Sequence, residues 1–264
     1  MYLFSLIRKR TAWFAVLWLF LAAGQAFAAE LRVVSSGGLA EAYRRLAPEF
    51  ERRTGHTLIA GWGPSMGDTV DAIPNRLKRG ESIDVVIMVG SALDGLIKEG
   101  KIAPGSAALL ARSNIGVAVK AGARKPDIST VTSLKDALIN ARSIAYSDSA
   151  SGVYLSTVLF PKLGIADAIK TKSRMIPAEP VARVVARGDA EIGFQQISEL
   201  LPVAGIDVVG PLPPEVQHVT LFSVGIVAGT KEPEAANALI QFLLSPEAAS
   251  VMRETGLEPS GNAR

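Results

Sequence analysis

Short runs of β-branched and aliphatic residues alternate along this chain with longer stretches whose apolar positions recur every three or four residues. Residues 31–35 read as a strand and 39–54 as a helix; 57–60 and 69–80 repeat the pair, as do 84–88 and 91–100. The rhythm resumes at 143–147, 152–164, 180–188 and 191–194. Strands that alternate with helices of this length predict an α/β architecture with parallel pairing. There is no internal repeat and no low-complexity linker. Two lobes without a disordered joint need strands that cross between them, and 114–120 and 219–228 fit that role, the second leading into helical patterns at 232–244 and 246–255. The expectation is therefore a two-lobed α/β fold joined by two crossing strands, with residues 29–112 and 225–264 in the first lobe and 113–224 in the second.

The first residues change what must be folded. Arg8, Lys9 and Arg10 precede a continuously apolar stretch at 12–23, and Ala26-Phe27-Ala28 places small residues where a signal peptidase cuts. This predicts a secretory leader over 1–28 and a periplasmic mature chain. A membrane anchor is the rival reading, but a dozen apolar residues fall short of the roughly 20 that span a bilayer, so no membrane insertion of the mature chain is expected. Charge follows from the same cut. Of 28 Lys and Arg, three lie in the leader, which leaves 25 against 25 Asp and Glu. A balanced body lacks the basic excess of a nucleic-acid binder, and no nucleic-acid partner is expected. With no cysteine and only His56 and His218, disulfides are excluded and no metal site or cofactor is expected.

Three loops share one design, each leaving a strand and opening a helix. They are Ser35-Ser36-Gly37-Gly38, Gly63-Pro64-Ser65-Met66-Gly67, and Ser147-Asp148-Ser149-Ala150-Ser151-Gly152 before Val153. A helix N-terminus offers free N–H groups and the positive end of its dipole; glycine permits close approach and serine adds a hydroxyl, so such loops suit a small anion. A turn with an N-cap is the plainer reading of any one of them. None carries the lysine of a P-loop or a GxGxxG in its βαβ setting, and nucleotide binding is not expected. The second loop matches GxSxG by letter, but Pro64 precedes the serine and neither histidine is placed as a triad partner.

Residues 191–199 read EIGFQQISE, a strand that ends in adjacent amides. Successive strand residues face opposite ways, so one of Gln195 and Gln196 is expected to face a cleft. Among cations, Arg112 is the preferred ligand partner by its place before the first crossing strand, with Arg174 and Arg76 behind it; most arginines serve only the surface.

These pieces together resemble the molybdate-binding family of periplasmic solute-binding proteins. The resemblance covers nearly all of the mature chain: the Ser36 loop and its helix, the Ser65 loop, the strand at 84–88, the segment 152–164 ending Lys162-Leu163-Gly164, the strand at 190–194 and the ending 242–256. It implies the type 2 periplasmic binding fold, delivery of an anion to an ABC permease, and a ligand shell at Ser36, Ser65, 149–153 and the end of 192–196. Where that family commonly carries a tyrosine, this chain has Gln195-Gln196. WGPSMG and YSDSASGVY are also distinctive, and they resemble an isomerase of the same fold that shifts a C=C bond in an unsaturated tricarboxylate.

Two classes of function follow: a receptor that closes on a small anion, and a cofactor-independent isomerase that moves a proton along an allylic unit. The second needs a titratable group in the cleft. Asp148, Tyr146 and Tyr154 flank the third loop and are the candidates, Asp148 having helix capping as its alternative role. The candidate ligand shell is Ser36, Gly37, Ser65, Met66, Arg112, Ser149, Ser151, Gly152, Val153, Gln195 and Gln196.

Overall fold

The computed structural model describes residues 28–177 and 179–260; the expected leader lies almost wholly outside them. In chain order the elements are β1 (Glu30–Ser35), α1 (Gly37–Thr54), β2 (Thr57–Trp62), α2 (Ile73–Lys78), β3 (Val85–Val89), α3 (Gly90–Lys98), β4 (Ala108–Lys120), α4 (Val131–Asn140), β5 (Ile144–Ser147) and α5 (Ala150–Tyr154). A π-helical turn (Leu155–Leu159) joins α5 to α6 (Phe160–Lys162). Then come α7 (Ala166–Ile169), β6 (Ser173–Ile176), α8 (Val181–Arg187), β7 (Ile192–Gln196), α9 (Ile197–Leu200), β8 (Ile206–Pro211), β9 (Val219–Ile226), α10 (Pro233–Leu243), α11 (Pro246–Glu254) and β10 (Glu258–Pro259).

The strands follow the order β2-β1-β3-β9-β4-β7-β5-β6, with β8 and β10 pairing on β4. Pairing is parallel within β2-β1-β3 and within β7-β5-β6, and antiparallel at β3-β9, β9-β4 and β4-β7. The two parallel blocks are the sheets of the two lobes. β4 is long enough to serve both: residues 108–114 pair with β9 and residues 115–118 with β7. β9 lies against β3 and the first half of β4, pairing Val219 with Asn114.

Each lobe closes its own core. Leu39, Tyr43, Leu46 and Phe50, at helical spacing on α1, are buried against β1 and β3 with α10 and α11, which is why this stripe folds as one long helix. Every residue of β3 is buried, as suits a central strand covered on both faces. The second core gathers Ile115, Val117, Leu134, Ile144, Leu159 and Phe194. Among the described residues no helix is long and apolar enough to cross a membrane.

Three sequence expectations are altered. The helix expected over 69–80 is confined to Ile73–Lys78, because Pro74 fits a first helical turn but not an interior. The helix expected over 152–164 is interrupted by the π turn. The segments 131–140 and 206–211 form a helix and a strand that the apolar pattern left unassigned.

Candidate functional site

The Ser36 loop and the Ser65 loop stand at the carboxyl ends of β1 and β2, where open α/β sheets receive ligands. Ser36 is the N-cap of α1, is 3% exposed, and its Oγ has no hydrogen-bond partner. A hydroxyl buried without a partner is costly, and here it sits beside the free N–H groups of an 18-residue helix. Ser65 is wholly buried and its Oγ accepts from Val89 N at 2.9 Å, which ties the loop to β3 and leaves its proton to donate. Met66 packs on the first core. Thr69 in the same loop has a second buried hydroxyl without a partner.

The third loop faces this pair from the other lobe. A Cβ at Gly67 would come within 3.8 Å of the Asp148 carbonyl oxygen, so the two loops meet across the cleft. Ser149 is the N-cap of α5. Ser151 is buried, and its Oγ bonds to Ser147 Oγ at 2.9 Å. Gly152 is obligatory for packing, since a Cβ there would overlap the carbonyl oxygen of Ser147. Val153 is exposed.

The tyrosines of this segment serve other ends. Tyr146 lies with Ile144 on the second core, its ring edge-on to Phe160 at 5.7 Å. Tyr154 stacks on His218 with ring centroids 4.7 Å apart and donates its hydroxyl to Val216 O at 2.9 Å. Burial raises its pKa, and neither effect favours a phenolate that collects protons.

Gln195 and Gln196 divide as strand alternation requires. Gln196 bolts the crossing strands together: with its oxygen accepting from Thr220 Oγ1 at 2.7 Å, its nitrogen donates to Ser113 Oγ at 3.0 Å, an amide orientation set by the surrounding network. Gln195 accepts from Ala182 N at 3.3 Å and hydrogen-bonds the carboxyl of Glu199. It thus belongs to a groove between the lobes, lined by Gly37, Glu41 and Arg44 of α1, Arg183 of α8, and Ser198 and Glu199 of α9.

Glu199 is the residue that sequence reasoning passed over. α9 packs on the start of α1: Ser198 Oγ donates to Gly38 O at 2.7 Å, and Glu199 Oε1 occupies the place a Cβ on Gly37 would take. The residue is half-buried and lines the groove. That burial pushes its pKa up to about 7; hydrogen bonds from the Gln195 side chain and the Gln196 backbone pull the other way, and the charge of Asp148 adds to the rise. The one local signal was spacing, since a glutamate three residues after a helix N-cap makes the return half of a capping box.

Arg112, the preferred cation, is placed elsewhere. It is exposed on β4, paired in register with Glu258 of β10 and Leu221 of β9, and lines a separate depression with Asn114, Ile197, Gly256 and Glu258. It lies within that strand rather than before it, and none of the serine-loop residues lines its depression. Arg76 is held by Glu81 and by Trp62 O at 3.2 Å, and Arg174 donates to Asp189 O at 3.0 Å. The cations beside the groove are Arg44, which lies 4.5 Å from the Trp62 ring centroid and 3.4 Å from Glu41, and Arg183, which is exposed. Among the described residues no cluster of three metal-ligating groups occurs.

A family model described as bacterial extracellular solute-binding protein matches residues 31–258. The chain belongs to that family. It is 52% identical over 229 residues, 87% of each chain, to an aconitate isomerase of a Pseudomonas species. To the molybdate-binding protein ModA of Azotobacter vinelandii it is 28% identical over 240 residues, 87% of this chain and 90% of that one. The solved periplasmic molybdate-binding protein of Azotobacter vinelandii superposes with a TM-score of 0.69 at 21% identity, covering 86% of this chain and 98% of that one. At that identity the likeness concerns the fold: a type 2 periplasmic binding architecture, as the family resemblance implies.

Proposed function

We propose that this chain is an aconitate isomerase, which closes its lobes on trans-aconitate and interconverts it with cis-aconitate. The observation that carries the reading is 52% identity across 87% of both chains to an enzyme of that name. The groove is consistent with it, because an oxyanion receptor needs only hydroxyl and N–H donors, whereas proton transfer needs a titratable group.

In this reading Ser36, Ser65 and the N-terminal turns of α1 and α5 (Ser149, Ala150 and onward) donate to the substrate carboxylates. Arg44 and Arg183 supply, from opposite lobes, the positive charge that Arg112 was expected to bring. Asp148 stays within the cleft set, beside the loop of Gly67. The lobes hinge where β4 changes partner between Asn114 and Ile115 and where Val219 rejoins the first sheet, a few residues inside the expected limits of 113–224. Residues 1–28 direct the chain to the periplasm and are removed there, so that the mature protein begins at Ala29.

Purified chain starting at Ala29 is expected to change the ultraviolet absorbance of trans-aconitate with no added cofactor and to carry solvent deuterium into the product. Binding of molybdate with no response to aconitate would overturn the reading in favour of a receptor serving an ABC permease, the use suggested by the ModA relationship.

A further inference from the structure

The reaction needs a group that removes a proton from one carbon and returns it two carbons away, and the best-placed group came from none of the serine loops. We infer that Glu199 is that catalytic base, taking a proton from the substrate methylene and delivering it to the far end of the allylic unit. This rests on the isomerase reading and adds the identity of its base.

The geometry is specific to one residue. Glu199 is carried by the lobe II helix α9 yet lies against Gly37, at the first turn of lobe I helix α1. It therefore stands at the junction of the two lobes, against the residue that follows the buried, partnerless Ser36. The ionisable groups facing it are Glu41 and Arg44 on α1, Arg183 on α8 and Asp148 on the β5–α5 loop. Among the described residues no salt bridge joins it to either arginine, whereas Arg44 pairs with Glu41. Its fixed partners are an amide side chain and a backbone N–H, which orient a carboxyl without forcing it to stay ionised. A base whose pKa falls near neutrality is matched to proton transfer at carbon; burial gives Glu199 that property.

The step balances without a further reagent. The carboxylate of Glu199 takes the methylene proton as the C–H bond breaks, and the electron pair spreads over the three-carbon unit and its carboxylates. The double bond shifts by one position as the carboxylic acid returns the proton to the formerly vinylic carbon. Carboxylate is regenerated, and nothing is oxidised or reduced.

Glu199→Gln keeps the shape and the capping contacts but cannot carry the proton. With wild type active, the variant is expected to bind trans-aconitate in calorimetry within a few-fold of wild type. It should lose at least about 10²-fold in both isomerisation and deuterium exchange. Retention of more than a tenth of either rate would overturn Glu199 as the base while leaving the isomerase reading intact. If wild type binds aconitate yet neither isomerises nor exchanges it, the isomerase reading fails and this inference with it. Glu199→Asp guards against misfolding of the glutamine variant. Wild-type kcat/KM is expected to fall as pH drops below about 7, and the aspartate variant should shift that limb; an unmoved limb would also overturn the inference.

Discussion

The loops that open α1 and α5 look alike in sequence, each placing serine and glycine at the start of a helix, but they spend those residues differently. In the α5 loop the serines satisfy each other, Ser147 with Ser151, and Gly152 exists because the carbonyl of Ser147 passes too close for a side chain. In the α1 loop Ser35 donates to the Ser36 carbonyl but the Ser36 hydroxyl has no partner, and Gly37 is crowded by the tip of a glutamate from the other lobe. One loop closes upon itself, and the other keeps a buried hydroxyl that its neighbours do not satisfy. The same motif stands in both, and the neighbours decide which of its hydroxyls are satisfied.

The largest effect should separate the two glycines. Gly37→Ala meets the far end of a flexible side chain, so Glu199 can swing aside and the fold is kept. Moving the base out of place is expected to cost about 10²-fold or more in kcat, with the melting temperature within a few degrees of wild type. Gly152→Ala meets backbone instead, which cannot yield, and the cost should fall on stability, about 3 kcal/mol, the upper end of what overpacking exacts. Denaturation and steady-state kinetics on the pair decide the matter: equal losses of stability would show that the two loops do not differ in kind.

The serines give a smaller contrast. Ser36→Ala removes a donor to a charged ligand and is expected to weaken aconitate binding by about 1.5–3 kcal/mol in calorimetry. It should leave stability unchanged or slightly raised, because the hydroxyl is buried without a partner. Ser151→Ala breaks a buried hydrogen bond within the protein and should lower stability by about 1 kcal/mol. A Ser36→Ala protein that is both less stable and unaltered in binding would mean that the hydroxyl has an internal partner.

How much of this could be read along the chain depended on how local the cause was. The stripe Leu39, Tyr43, Leu46, Phe50 announces α1, and the unbroken apolar run of β3 announces a central strand. β8 was missed because Asp207 and Gly210 interrupt its pattern, and it is a strand only because β4 is there to pair with it. α4 begins at a Thr130 cap whose hydroxyl accepts from Ser133 N, a signal too slight beside the Lys and Asp within that helix. The serine loops stood out along the chain because helix N-termini have local signatures. Alternation separated Gln195 from Gln196 but could not say which faced the groove. Glu199 was not legible, since its meaning depends on Gly37, more than 150 residues earlier, and on Asp148 in the loop between. Arg44 and Arg183 read as solvent-facing helix positions until the two lobes are placed together.

The smallest expected effect belongs to the α1 loop, because Glu199, which packs against Gly37 there, is a carboxyl whose ionisation is altered by folding. The folded pKa of Glu199, about 7, lies above its ordinary value of 4.5, so the folded chain binds that proton more tightly than the unfolded chain. By linkage, its contribution to stability is fully present below pH 4.5 and is lost as pH rises through 7. The carboxylates lowered by arginine, Glu49, Glu81 and Glu179, titrate below 4.5 and so leave the interval from 5 to 8 clear. Each pKa unit is worth about 1.36 kcal/mol, and after discounting for the water that the groove admits, the fall between pH 5 and 8 should be about 1 kcal/mol. Denaturant unfolding at the two pH values measures it, with Glu199→Gln expected to flatten the difference. Asp148→Asn should leave most of it, because the Asp148 charge contributes less to the rise than burial does. If the glutamine variant retains the full pH dependence, the carboxyl of Glu199 is not withdrawn from water by the closing of the two lobes around Gly37.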